Sequence, residues 1–166
     1  MKYYRSSVFW LSLILLLVTV IFSVVAYVRW FSLTFFVGSL FFVHWLGLIA
    51  TVFIAVLVPI YYFLKRKRPH NIKILLKIHV FGNLFSFLFV SIHFAQNIGR
   101  LAAFYPRLGY GFVLFLVLTI IVATGMLERF GARGKLVRCT KFVHKYAVVV
   151  FYLVTIIHVL HGFNII

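Results

Sequence analysis

Four histidines carry the chemistry this sequence can do. His79 and His93 lie fourteen positions apart in one apolar run, and His144 and His158 lie fourteen apart in another. On a helix, fourteen residues rise about 21 Å, and the angular offset is only about 40°, so both members of a pair share one face. A neutral imidazole is a common axial ligand for haem iron. Two such helices side by side would present two histidine–histidine clamps, one above the other. The spacing therefore points to two haems, each held between a histidine from one run and a histidine from the other.

The elements that must position these side chains are membrane helices. Hydrophobic residues make up 65% of the 166-residue chain and charged residues only 11%, where a soluble domain carries roughly a quarter charged residues. Glu128 is the one acid against 17 Lys and Arg. That excludes paired-carboxylate catalysis, acidic metal sites and a carboxylate proton relay. One cysteine, Cys139, excludes an intramolecular disulfide and a Cys-rich metal site. The basic residues sit between apolar runs rather than along one face, so they speak for membrane topology and not for nucleic acid.

The expected fold is an all-α integral membrane protein, a single domain over residues 1–166. It is a five-transmembrane-helix bundle with spans near 8–28, 37–64, 72–97, 110–127 and 141–163. The first run is too long for a signal peptide and is read as a retained helix. Lys65 to Arg68 and Pro69 end the second span. Pro106 breaks the chain between Arg100 and Gly109, and Glu128 to Thr140 reads as a polar loop. Lys2, Arg5, the Lys65–Arg68 run, Lys73, Lys77, Arg129, Arg133, Lys135, Arg138, Lys141 and Lys145 then fall on one side. Only Arg29, Arg100 and Arg107 fall on the other. The positive-inside rule puts the N-terminus in the cytoplasm and the C-terminus outside, in a plasma or inner membrane.

With that topology the third and fifth spans run parallel, and depth pairs His79 with His144 inside and His93 with His158 outside. The irons would lie roughly 20 Å apart by the helix rise, with Phe85, Phe89 and Phe151 between. Small residues (Gly82 and Ser86 on the third span; Ala147, Thr155 and Gly162 on the fifth) give room for a porphyrin, or simply for close helix packing. His161 and His44 are alternative outer ligands. His44 could also touch a quinone, although a packed or hydrogen-bonded histidine is the default reading. Arg100, like Arg29, could bind a haem propionate through its guanidinium fork or anchor a helix at the headgroups. His70 is expected in solvent. Cys139 sits among basic residues, which favours thiolate, although a free structural thiol is the default. The basic loops could dock an acidic partner or anionic lipid.

The stretches HVFGNLFSFLFVSIH, ending at His93, and HKYAVVVFYLVTIIH, starting at His144, resemble the ferric-reductase-like transmembrane domain. That family occurs in ferric reductases, NADPH oxidases and the haem subunit of methionine sulfoxide reductase. The resemblance covers roughly residues 37–163. It implies that His79, His93, His144 and His158 bind two haem b groups. The histidine spacing is also similar to that of di-haem respiratory cytochrome b subunits, which exchange electrons with quinone. The chain departs from the family in having five spans rather than six. No loop is long enough for a flavin or nicotinamide domain, no Gly-rich phosphate fingerprint is present, and no internal repeat is evident. The expected function is transmembrane electron transfer within a redox complex, alongside a quinone or other redox subunits. The rival expectations are a stand-alone reductase serving an external metal, oxygen or periplasmic enzyme, and a non-redox membrane protein.

Overall fold

The computed structural model describes residues 7–98, 109–131, 134–162 and 165. Five helices are long and apolar enough to cross a membrane. They fall into two compact units, Met1–Gly99 and Arg100–Ile166.

The first unit holds α1 (Ser7–Tyr27), α2 (Phe42–Lys67) and α3 (Ile72–Ile98). With 21 residues, α1 is about 31 Å long at 1.5 Å per residue, which matches a bilayer core. Its outward side chains include Leu11, Leu13, Leu17, Val20 and Ile21, all exposed. A surface so apolar belongs in lipid. The buried positions Ser12, Thr19 and Ala26 recur every seven residues, a narrow stripe of small side chains along which α1 packs on α3. Small residues at such a stripe let two backbones approach where no hydrophobic force drives helices together. Thr19 and Ser23 return their hydroxyls to the carbonyls four residues back, at 2.8 and 2.7 Å, so neither is left unpaired in hydrocarbon.

The end of α1 is fixed twice. Arg29 adopts a left-handed conformation (φ 55°), and Trp30 N–H bonds Val25 O at 3.2 Å, the six-to-one bond of a Schellman cap. Gln96 of α3, 2% exposed, donates to Ala26 O at 2.8 Å and to Phe31 O at 3.2 Å.

Before α2 lies a short antiparallel hairpin, β1 (Phe36–Val37) and β2 (Leu40–Phe41), with Phe36 opposite Phe41. Gly38 supplies the positive φ of 63° that its tight turn requires. Trp45 Nε1 donates to Val37 O at 2.9 Å and ties the hairpin to the helix. The second span therefore begins at Phe42 and not at Val37: the Gly38–Ser39 turn interrupts an apolar run that hydropathy alone reads as continuous. Pro59 lies inside α2, and a short 3₁₀ turn at Pro69–Asn71 leads into α3.

The second unit is a helical hairpin of α4 (Gly109–Met126) and α5 (Lys135–Gly162), joined through a π-helical turn at Leu127–Gly131. The polar stretch expected as a loop is largely helical, because α5 starts six residues before Lys141. Polarity marks where the helix leaves lipid, whereas the break itself falls at Gly134 (φ 58°). Arg100 and Pro106 lie outside the described residues.

Candidate functional site

His93 is held by the helix before it. A carbonyl can only accept, so the 2.8 Å contact between His93 Nδ1 and Val43 O puts a proton on Nδ1. In the neutral ring Nε2 then carries the lone pair, the form in which imidazole binds a metal. The ring lies against Gly47 of α2, where a Cβ would sit 3.2 Å from Nδ1 and 3.3 Å from Cγ. His44, in the first turn of α2, approaches His93 edge-on with ring centres 5.5 Å apart.

His144 repeats that arrangement in the second unit. Its Nδ1 lies 3.1 Å from Ile121 O and 3.1 Å from Thr124 Oγ1. The Thr124 hydroxyl gives its own hydrogen to Ile120 O at 2.6 Å, so toward His144 it accepts, and the proton again sits on Nδ1. Gly125 of α4 faces the ring, and a Cβ there would lie 3.3 Å from Cε1. The parallel extends to the register: Val43 precedes Gly47 by four residues, and Ile121 precedes Gly125 by four. One helical turn thus offers a carbonyl and, beside it, a position without a side chain.

His158 lies against Gly111, with 3.5 Å between its Cε1 and a notional Cβ. His161 meets Tyr110 edge-on at 5.8 Å. His79 is held differently. Tyr61 of α2 stacks on its ring at 4.3 Å and 21°. The amide nitrogen of Asn83 lies 3.1 Å from Nδ1 and 3.4 Å from Nε2. That amide is oriented by its 2.7 Å donation to His79 O.

All four histidines are half-buried. His79 and His93 share α3 within the first unit, and His144 and His158 share α5 within the second. Gly82 faces α2, and the space its Cβ would need is filled by Leu57 Cδ1. Phe151 is buried, whereas Phe85 is 48% exposed. His70 is exposed, as is the Cys139 thiol. Arg100 lies outside the described residues. Among the described residues no three His, Cys, Asp or Glu gather as a site for a bare metal ion.

Sequence reasoning missed Asn83 and Asn97. Each follows a histidine by four residues, the distance at which two helical side chains meet, and Asn97 Nδ2 donates to His93 O at 2.6 Å. The repeated His-x-x-x-Asn spacing on α3 was the available signal. The carbonyls of Val43 and Ile121 have no such signal, because any residue type supplies one.

No family of known proteins, no curated protein and no solved structure matches this chain.

Proposed function

We propose that this protein is a membrane cytochrome b that binds two haem groups and carries electrons across the bilayer. The observation that carries this reading is the seat shared by His93 and His144. Each imidazole gives Nδ1–H to a backbone carbonyl of the preceding helix and faces a glycine. A bond from the non-ligating nitrogen fixes the tautomer and raises the basicity of the other, as is usual for histidines that bind metal. The glycines leave the ring unobstructed on that side. These residues fit a haem ligand set of imidazoles better than they fit packing alone, which needs no fixed tautomer.

In this reading His79, His93, His144 and His158 bind the two irons, with His44 and His161 as alternatives near the outer end. The pairing of His79 with His144 and of His93 with His158 follows from helix rise and the charge bias of the loops. Haem supplies a one-electron Fe(III)/Fe(II) couple when bound. The protein's part is to hold the imidazoles, to keep water from the apolar interior and to set orientation, with the N-terminus cytoplasmic and the C-terminus outside. The described loops are short, so electrons come and go through partners: a quinone, or other subunits of a redox complex in a plasma or inner membrane. His44 beside His93 favours a second reading, in which the outer edge of the site serves an external acceptor directly and the protein acts as a stand-alone reductase.

The test is a reduced-minus-oxidised spectrum of the purified protein with haem quantification. A b-type spectrum with about two haems per chain is expected. Colourless protein from haem-replete cells overturns the reading.

A further inference from the structure

The segment between α1 and α2 does not have the composition of an aqueous loop. No charged residue stands between Arg29 and Lys65. Trp30 is 82% exposed and Phe36 67%, and Phe31, Phe35 and Val37 are exposed with them. In water these side chains would form an apolar patch with no charge beside it to oppose association. On α1 and α2 the same degree of exposure is accounted for by lipid, and this segment joins the two.

Much of the segment's polar chemistry is satisfied from within. The start of α2 has no side-chain cap. Its first N–H groups are taken by the segment instead: Phe42 N–H donates to Phe35 O at 2.9 Å and Val43 N–H to Leu33 O at 3.3 Å. The Ser32 and Thr34 hydroxyls bond each other, and Thr34 N–H lies 3.4 Å from Ser32 Oγ. Trp45 Nε1–H donates to Val37 O at 2.9 Å. A chain in water can leave such groups to solvent, whereas a chain in a poorly hydrated layer has to pair them itself. The aromatic side chains are organised too. Phe36 packs on Phe41 across the hairpin with ring centres 4.2 Å apart, and Phe35 stacks on Phe42 at 5.0 Å.

The flanking helices fix the depth. With 21 residues, α1 rises about 31 Å, and α2 rises about 34 Å from Phe42 to Leu64. A hydrocarbon core is about 30 Å thick, so Tyr27 and Phe42 both fall at its boundary. With two residues in each strand, the hairpin reaches about 7 Å, and a headgroup layer is about 5–8 Å deep. A deeper seat is ruled out, since the open edges of a two-stranded sheet would have no hydrogen-bond partners in hydrocarbon.

We propose that Trp30 and the β1–β2 hairpin form a lipid-binding surface. It is seated in the headgroup layer at this end of α1, with the exposed rings of Trp30, Phe35 and Phe36 packed among the acyl segments nearest the headgroups. The seat holds the first turn of α2 at a set depth, and that turn carries the Val43 carbonyl that takes the His93 proton. It also accounts for the hydropathy that extends the second span back to Val37: residues 37–41 belong to the membrane without being helical. The proposal goes beyond the cofactor reading and does not depend on it.

Nitroxide accessibility in phosphatidylcholine vesicles tests it. In full-length protein carrying Cys139→Ser, one label at a time is attached through Phe36→Cys, through Val20→Cys on the exposed side of α1, or through His70→Cys in the basic turn. Collision with oxygen, which concentrates in lipid, is compared with collision with a neutral water-soluble nickel chelate. The label at position 36 is expected to favour oxygen several-fold more than the one at 70, and less than the one at 20. A value equal to that at 70 puts the hairpin in water, and a value equal to that at 20 puts it in hydrocarbon; either overturns the proposal. Shielding from both probes means that protein, such as a second copy of the chain, covers the hairpin, and overturns it as well. Trp30→Cys lies outside the strands, and its label is expected to give the same ranking, which decides the matter if Phe36→Cys disturbs the hairpin.

Discussion

At the scale of single residues, the three glycines opposite histidines form a graded series. A Cβ at Gly47 would press on three atoms of the His93 ring at 3.2–3.4 Å, one at Gly125 on His144 Cε1 at 3.3 Å, and one at Gly111 would make an ordinary 3.5 Å contact with His158. Gly47→Ala must displace the ring by a few tenths of an ångström and strain its bond to Val43 O. Overpacking of this kind costs about 1–3 kcal/mol. Thermal unfolding in mild detergent should rank the variants Gly47→Ala least stable, then Gly125→Ala, with Gly111→Ala close to the unaltered protein. Equal effects at all three sites would mean that the glycines serve helix packing in general and not the imidazoles. Gly82→Ala belongs to a different class. Its Cβ meets Leu57, so it should loosen α2 from α3 while leaving the bonds of His93 intact.

At the scale of elements, the bond from Gln96 to the end of α1 joins two helices through a buried side chain. Gln96→Leu keeps the volume but removes the donor to Phe31 O and leaves Ala26 O only the 3.2 Å bond from Arg29 N–H. An unsatisfied buried acceptor costs about 1–3 kcal/mol, so a lowered unfolding temperature is expected, with no change in any bound chromophore. The existence of all five helices was legible in the sequence, because runs this apolar and this long have only one stable form in lipid. Their ends were legible only where a backbone constraint coincided with a polar residue, as at Arg68 and Pro69. Gly38 cut the second span short inside an apolar run, and Lys135 to Thr140 stayed helical despite their charge, since hydropathy reports the solvent of a residue and not its conformation. The fourteen-residue spacing of the histidines on α3 and α5 was legible in the sequence. Their contacts were not: the carbonyls of Val43 and Ile121 have no residue-type signature, and the Tyr61 stack on His79 appears only once α2 and α3 are in register.

At the scale of the whole molecule, it is charge rather than packing that argues for the proposed orientation. Apart from Glu128 there is no acid to balance 17 Lys and Arg, so the basic loops cannot be neutralised within the chain. Their counter-charges must come from lipid headgroups, partners or salt. Translocating those loops would carry the Lys65–Arg68 run and the basic start of α5 through hydrocarbon, at about 2.5–3.5 kcal/mol for each residue on insertion scales. The proposed orientation avoids this by placing the start of α5 in the cytoplasm, and Cys139 tests it directly. It is the single cysteine and its side chain is exposed, so a membrane-impermeant maleimide has one target. Intact cells should leave the thiol unlabelled, and inside-out vesicles should label it. Labelling in intact cells would invert the topology and, with it, which histidines face the cytoplasm.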